Sequence, residues 1–168
     1  PRWGVEEIIT RLHLHRFDAV ELSVNVIALA LAFVIALPVG WDREKSTRTM
    51  GLRTFPLVAV ASAAFVMMAR SAFEGAPDAQ ARVLQGVLTG IGFIGAGAMI
   101  RSGFTVTGIT TASTLWMAAA FGIAAAMGLY VVSIVAGAMA LVIVVTFGPL
   151  KPYVLFRRSR KRFEVRYR

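Results

Sequence analysis

The most informative segment of the sequence is Thr89-Gly-Ile-Gly-Phe-Ile-Gly-Ala-Gly-Ala-Met-Ile100, which is rich in glycine. It lies in an apolar run from Val83 to Ile100, which is long enough to cross a bilayer. In a water-exposed helix each glycine would cost about 1 kcal/mol relative to alanine, whereas in a membrane it lets neighbouring helices approach closely. The sequence therefore predicts a helix at the centre of a membrane bundle, packed through Gly86, Gly90, Gly92, Gly95 and Gly97.

The same letters match the dinucleotide-binding pattern G-x-G-x-x-G at Gly90, Gly92 and Gly95. That pattern needs a preceding strand, a following helix and an acidic residue about 20 positions later. Here it lies inside an apolar run, and no Asp or Glu occurs between Asp78 and Glu164. Helix packing is the better interpretation.

Composition places the chain among membrane proteins. Of its 168 residues, 57% are hydrophobic and only 16% are charged, which is typical of a polytopic membrane domain rather than a soluble one. There are no cysteines, so disulfides, thiolate metal sites and cysteine nucleophiles are excluded. Since neither a nucleophile–base set nor a metal-ligand cluster appears, we predict no enzyme, no metal site and no cofactor.

The pattern of apolar runs predicts an all-α bundle of about five transmembrane helices. A short amphipathic helix in the membrane interface is expected at residues 1–20, the five-span domain at 21–150 and a basic cytoplasmic tail at 151–168. Pro38-Val39-Gly40 is expected to end span one, and a tight Ser102-Gly103 connection to join spans three and four. The predicted spans are about Leu22–Val39, Thr54–Phe73, Val83–Ile100, Val106–Met127 and Leu129–Phe147.

The basic residues predict the orientation. With five spans, 13 Lys and Arg residues fall on the side that holds the tail and five on the other. Basic residues in short loops mark the cytoplasmic side, so the amino terminus is expected in the periplasm and the carboxyl terminus in the cytoplasm. The net charge of +9 then faces anionic lipid headgroups, and no nucleic acid is needed to explain it.

Polar residues inside the spans leave two interpretations open. The first half of span four is rich in hydroxyls, and Gly108 and Ala112 begin a stripe of small residues along it. Hydroxyls can bond a backbone carbonyl or reach another helix, or they can line a pore. No Asp or Glu lies in the middle of a span, which argues against a dedicated cation pump or proton-coupled carrier. The candidates for a polar interface or a pore are Asn25, Thr89, Thr110, Thr111 and Trp116.

Several motifs together resemble the MgtC/SapB family in order and spacing, over roughly residues 20–130. They are Gly40-x-x-Arg43-Glu44, Gly51-Leu-Arg-Thr54, the glycine stretch, Gly108-Ile-Thr-Thr-Ala112 and Leu115-Trp116. The resemblance implies a bacterial inner-membrane protein of about five spans, linked to growth in scarce magnesium and to survival inside host cells. It also implies restraint of the F-type ATP synthase rather than carriage of magnesium.

The chain departs from the family pattern in two places. Phe55 stands where many members have a histidine, which weakens any inference of proton or metal chemistry at that position. Many members also carry a small cytoplasmic α+β domain after the last span. Here residues 162–167 alternate like the start of a strand and the sequence then stops, so we expect that domain to be absent or trimmed.

The loop between spans one and two is the best functional candidate. Glu44 is expected to pair with Arg43 or Arg53 and so clamp the two spans together at the cytoplasmic face. We predict a regulator that contacts other inner-membrane proteins, with packing of the glycine helix inside the chain favoured and a homodimer left open. The alternatives are a channel or carrier for a cation such as magnesium, or for a small solute, between spans three and four, and, less favoured, a structural scaffold. The predicted functional motif is Gly40, Arg43, Glu44, Gly51, Arg53 and Thr54.

Overall fold

A computed structural model describes residues 19–47, 50–102 and 105–148. Within these residues the chain forms five helices and one short antiparallel ribbon, which confirms the predicted all-α membrane bundle apart from the ribbon. The predicted interfacial helix at the amino terminus and the basic tail lie outside the described residues. The elements are α1 (Ala19–Thr47), α2 (Thr54–Ala72), α3 (Pro77–Gly97), β1 (Ile100–Ser102), β2 (Thr105–Thr107), α4 (Ile109–Ala126) and α5 (Tyr130–Phe147).

Helix α1 does not end where its proline predicts. It continues through Pro38 as far as Thr47, so the expectation that Pro38-Val39-Gly40 ends span one is wrong. A proline inside a helix removes one backbone hydrogen bond but does not always stop the helix. Pro38 is exposed, whereas Val39, Gly40 and Arg43 beyond it are buried. Packing of these three residues holds the additional two turns in place.

Four of the described helices, α1, α2, α4 and α5, are long and apolar enough to cross a membrane. The predicted bounds of spans two and five agree with α2 and α5 to within one residue. Helix α3 begins at Pro77 rather than at Val83 and ends at Gly97. Its 21 residues correspond to about 31 Å, enough to span a bilayer, although its first turns carry Asp78 and Arg82 and make it the least apolar candidate.

The positions of the helix ends show that α3 nevertheless runs from one end of the bundle to the other. Arg70, near the end of α2, donates from Nη1 to the carbonyl oxygen of Ala126 at the end of α4, at 2.8 Å. The carboxyl ends of α2 and α4 therefore lie together. Near the opposite end, a Cβ placed on Gly95 of α3 would lie 3.7 Å from the Cβ of Ala112 in α4, so the end of α3 lies beside the start of α4. Helix α3 thus returns the chain from the end of α2 to the start of α4, so all five described helices run between the two ends of the bundle.

The centre of the bundle is α4 and not the glycine helix. Helix α4 packs against α1, α2, α3 and α5, and eleven of its 18 residues are buried. In α3 only Ile91 and Gly95 are buried among 21 residues. The prediction that the glycine helix is central is therefore wrong. Small side chains are what allow a helix to be surrounded, and α4 supplies them as alanines.

The connection between α3 and α4 includes a short ribbon that the sequence did not predict, and residue 103 of the predicted tight Ser102-Gly103 connection lies outside the described residues. Strands β1 and β2 pair antiparallel, with Ile100 opposite Thr107 and Ser102 opposite Thr105. Helix α4 consequently begins at Ile109 instead of Val106. Gly108 precedes it with a φ of +87°, a conformation that is favourable for glycine and strained for other residues.

Candidate functional site

The end of α1 crosses the segment before α2 at close range, and we call this crossing the α1–α2 junction (Gly40–Glu44 and Gly51–Phe55). A Cβ at Gly40 would lie 3.2 Å from the carbonyl oxygen of Gly51, and a Cβ at Gly51 would lie 2.6 Å from Cα of Glu44. Gly40 and Glu44 are one turn apart and share a helix face. The two glycines of the predicted motif therefore let one backbone pass over the other.

Glu44 connects the two segments through a backbone amide. Its Oε2 accepts a hydrogen bond from the N–H of Leu52 at 3.1 Å. Leu52 lies two residues before α2 begins, where the unpaired N–H groups of a helix create a positive potential that favours a carboxylate. Because the side chain of Glu44 is exposed, water weakens this attraction, and the bond serves mainly to orient the junction.

Within the described residues, Glu44 pairs with neither of the two arginines that were predicted as its partners. Arg43 instead forms an ion pair with Asp42, with its Nε donating to Oδ2 at 3.0 Å. Arg43 is only 5% exposed, so this cation is held at the edge of the helical core and compensated by the neighbouring carboxylate. Arg53 is exposed and precedes α2 without a side-chain cap. The clamp thus exists, but a backbone amide replaces the predicted arginine.

The start of α2 closes the junction. The carbonyl of Gly51 accepts the N–H of Phe55 at 3.1 Å, which begins the helical hydrogen bonding ahead of Thr54. Phe55 is completely buried in the core. Phe55 therefore contributes a packed aromatic side chain, which has no titratable group, at this position of the junction.

Four of the predicted packing glycines face outward. A Cβ at Gly86, Gly90, Gly92 or Gly97 would meet nothing within 4 Å. Among the α3 glycines only Gly95 differs, since a Cβ there would lie 3.7 Å from the Cβ of Ala112. The prediction that these four glycines pack inside the chain is wrong, because α3 meets α2 and α4 through its other face, which contains Val87 and Ile91. Their use between two protein chains stays a prediction.

Gly108 also differs from its predicted role. It lies before α4 and not within the stripe of small residues along that helix. A Cβ there would collide with the carbonyl group of Ala98, so Gly108 is needed for the close approach of the ribbon to the end of α3.

The structure reveals two packing glycines that the motifs missed. At Gly122 of α4 a Cβ would lie 3.0 Å from Cα of Ala59 in α2 and would overlap the carbonyl of Ala59. At Gly137 of α5 it would overlap the side chain of Ile35 in α1. Each is a lone glycine in an otherwise apolar helix. The only signal in the sequence is the surrounding alanine-rich context of α4 and the absence of a turn at either position.

The residues predicted as a polar interface or pore are not brought together. Asn25 lies near the start of α1, whereas Thr110 and Thr111 lie at the start of α4, at the opposite end of the bundle. Thr89 is exposed and bonds the carbonyl of Gln85 in its own helix at 2.8 Å. Thr110 and Trp116 are exposed and Thr111 is buried. These five residues therefore do not form a continuous polar path.

Two hydroxyls in the core, those of Thr114 and Ser133, bond to backbone carbonyls, whereas the buried hydroxyl of Ser62 in α2 has no hydrogen-bond partner among the described residues. Thr114 donates to Thr110 and Thr111 in its own helix, at 2.9 and 3.0 Å. Ser133 of α5 donates to the carbonyl of Phe121 in α4 at 2.7 Å, a contact between helices that also satisfies a buried polar group. Among the described residues no group of three or more His, Cys, Asp or Glu could hold a metal ion.

Comparison with known proteins gives a consistent family. The model of the MgtC family matches residues 29–153, which includes the α1–α2 junction and all five helices except the start of α1. Protein MgtC of Brucella abortus is 35% identical over 140 residues, covering 83% of this chain and 58% of that protein. Protein SrpB of Synechococcus elongatus is 37% identical over 147 residues, covering 80% of each chain.

Protein MgtC of Salmonella typhimurium is 36% identical over 103 residues, covering 61% of this chain and 43% of that protein. The chain therefore spans about half the length of the MgtC proteins that it matches. No solved structure matches it.

Proposed function

Because the chain belongs to the MgtC family, we propose that it is a regulatory protein of the bacterial inner membrane that acts by contacting other membrane proteins. Its setting would be magnesium limitation and survival inside host cells, which the family resemblance implies, and the F-type ATP synthase is the partner to test first. The five crossings and the excess of basic residues beside the α1–α2 junction favour a periplasmic amino terminus and a cytoplasmic carboxyl terminus.

One observation carries this function, namely the outward face of α3. We call it the open face (Gln85, Gly86, Thr89, Gly90, Gly92, Phe93 and Gly97). All seven residues are exposed, and Phe93 is 83% exposed. Exposed glycines in a membrane helix give a neighbouring helix a surface that it can approach closely. A protruding aromatic side chain beside such a smooth surface provides an anchor for a partner.

The polarity of this face separates it from the surfaces that contact lipid. The exposed side chains of α1 and α5 are largely Val, Ile, Leu and Phe, as expected next to acyl chains. The open face instead presents an amide at Gln85 and a hydroxyl at Thr89, and α3 is the least apolar of the five described helices. Polar groups in a span are favoured where another protein covers them.

The test replaces a glycine of the open face with a bulky residue. Gly90→Leu adds volume where nothing lies within 4 Å, so the chain itself should fold normally. We expect this variant to fail to restore growth in low magnesium to a strain that lacks its MgtC-family protein. It should also fail to co-purify with the F-type ATP synthase. A blot should show that its amount in the membrane is unchanged. The matched control is Ala138→Leu, an exposed small residue on the lipid-facing side of α5, which should retain both activities.

The outcomes distinguish the surface from the partner. If Gly90→Leu complements as well as Ala138→Leu, the open face is not the regulatory contact. If Gly90→Leu fails in growth while co-purification with the ATP synthase is absent for the unaltered chain too, another membrane protein is the partner.

Transport between α3 and α4 receives less support from the geometry. A Cβ placed on Gly95 would already lie 3.7 Å from the Cβ of Ala112, at ordinary van der Waals distance, and the buried hydroxyl of Thr114 is bonded within its own helix. A magnesium path would need hard oxygen ligands together with retained water, whereas Glu21, Asp42, Glu44, Glu74 and Asp78 all lie at helix ends or in loops. If magnesium entered liposomes that contain the purified chain, the hypothesis of transport would be favoured over that of regulation.

A further inference from the structure

The ribbon between α3 and α4 has backbone groups that require a polar environment. Strands β1 and β2 pair only with each other within the described residues. The outer edges of a two-stranded ribbon therefore present N–H and C=O groups that have no strand partner. Such groups are not tolerated in the hydrocarbon region of a bilayer, where water cannot satisfy them. The ribbon must lie at a depth that water or lipid headgroups can reach.

The side chains around the ribbon have the opposite requirement. Met99, Ile100, Val106 and Ile109 are all exposed, with Ile100 at 60% and Val106 at 47%, and we call these four residues the ribbon patch. Ile100 lies opposite Thr107 and Val106 lies opposite Arg101. Because neighbouring positions along a strand alternate between faces, Ile100 and Val106 project from different faces. If one face of the ribbon packed against the protein, only one of these two side chains would be covered, and the other would stay exposed.

The helices place this ribbon at one end of the bundle. The contact between Arg70 and Ala126 shows that the carboxyl ends of α2 and α4 lie together. The amino ends of these two helices therefore lie at the opposite end of the bundle, where α1 ends. Trp41 lies near the close of α1 and is 55% exposed. Exposed tryptophans in membrane proteins concentrate at the level of the headgroups. The ribbon and Trp41 therefore share the end of the bundle that lies at a membrane–water boundary.

We propose that the ribbon patch is embedded in the headgroup region of the surrounding bilayer and binds phospholipid as an interfacial anchor. Only that region offers polar partners to the edges of the ribbon and, a few ångströms deeper, acyl chains to its apolar side chains. Phospholipid is the occupant because the flanking helices also expose apolar residues: Ile94 lies near the end of α3, and Trp116 lies two turns after Ile109 on the same face of α4.

Depth measurements on single-cysteine variants test this placement. The chain has no cysteine, so Ile100→Cys and Val106→Cys can each carry one nitroxide label in vesicles of phosphatidylethanolamine and phosphatidylglycerol. The references are Ser46→Cys, at the exposed end of α1, and Val135→Cys, on the exposed side of α5. Oxygen partitions into lipid and a nickel chelate into water, so the ratio of their collision rates reports depth.

We expect both ribbon labels to give ratios between those of the two references. A membrane-impermeant maleimide should also react with the unlabelled Cys at both positions about tenfold more slowly than at position 46, because the reactive thiolate forms poorly away from water.

Two results would overturn the anchor. Ratios and reaction rates equal to those of Ser46→Cys would place the ribbon in water. Low collision rates with both oxygen and the nickel chelate would show that protein, either a second copy or another partner, covers the patch. Each position reports independently, so a variant that fails to fold leaves the other to decide.

Discussion

Helices α3 and α4 are adjacent in the chain, contact each other and are both rich in small residues, yet they have opposite roles. Helix α3 carries its small residues as glycines, four of which face outward. Helix α4 carries mostly alanines and one critical glycine, and other helices surround it. Small residues therefore show where close approach is permitted. They do not show whether the neighbour is part of the same chain.

Polarity explains which helix becomes central. The buried positions of α4 include Leu115, Phe121 and a run of alanines, which fill space without leaving polar groups unpaired. Helix α3 retains Gln85 and Thr89 on its outer side, so burying that face within the chain would require polar partners on another helix.

The sharpest test of this difference substitutes alanine for one glycine in each helix. Gly122→Ala places a Cβ against the backbone of Ala59, and backbone cannot move aside as a side chain can. We expect the free energy of unfolding to fall by about 3 kcal/mol, as for a strongly overpacked core. Gly90→Ala meets open space and should raise it by no more than about 1 kcal/mol, through helix propensity alone.

Unfolding in mixtures of dodecyl maltoside and SDS measures both values. If Gly90→Ala lowers the free energy of unfolding more than Gly122→Ala does, α3 rather than α4 is the central helix of the bundle.

The connection between the two helices gives a second, smaller contrast. Gly108 has a φ of +87° and packs against the backbone of Ala98. Gly108→Ala should therefore cost about 2 kcal/mol, since a left-handed conformation is unfavourable for residues with a Cβ. Gly97→Ala, at the end of α3 where nothing lies within 4 Å, is the matched control and should be nearly neutral in the same unfolding assay. Equal losses would mean that the ribbon does not hold Gly108 in place.

The fold could be predicted from the sequence where the apolar runs are bounded by clear signals. Helices α2 and α5 began and ended within one residue of their predicted bounds because charged, proline or glycine residues flank them. Pro38 misled the prediction of α1, since packing beyond a proline is a tertiary effect. The ribbon was missed because three-residue strands are too short for alternation to be recognised.

The meeting of motif residues at the α1–α2 junction could be anticipated from the sequence, but their contacts could not, and their role in function stays a prediction. The motif residues Gly40, Glu44 and Gly51 meet at the α1–α2 junction. The partner of Glu44 was unexpected because a pattern of charges indicates ion pairs, whereas the N–H of Leu52 has no signature in the sequence. Gly122 was missed for a related reason, since only the position of Ala59 on another helix makes it essential.

Hydroxyl groups provide the smallest test of the contrast between α3 and the centre of the bundle. Ser133 reaches from α5 to the carbonyl of Phe121 in α4, while Thr89 of α3 donates to the carbonyl of Gln85 in its own helix. A hydrogen bond between membrane helices contributes about 0.6 kcal/mol on average, so Ser133→Ala should lower the free energy of unfolding by about that amount. Thr89→Ala exchanges a hydroxyl for a better helix former and should leave it unchanged or slightly higher. If Thr89→Ala proves the more costly in the isolated chain, the hydroxyl on the open face has a partner within that chain, and α3 would no longer be the helix that is free to bind another protein.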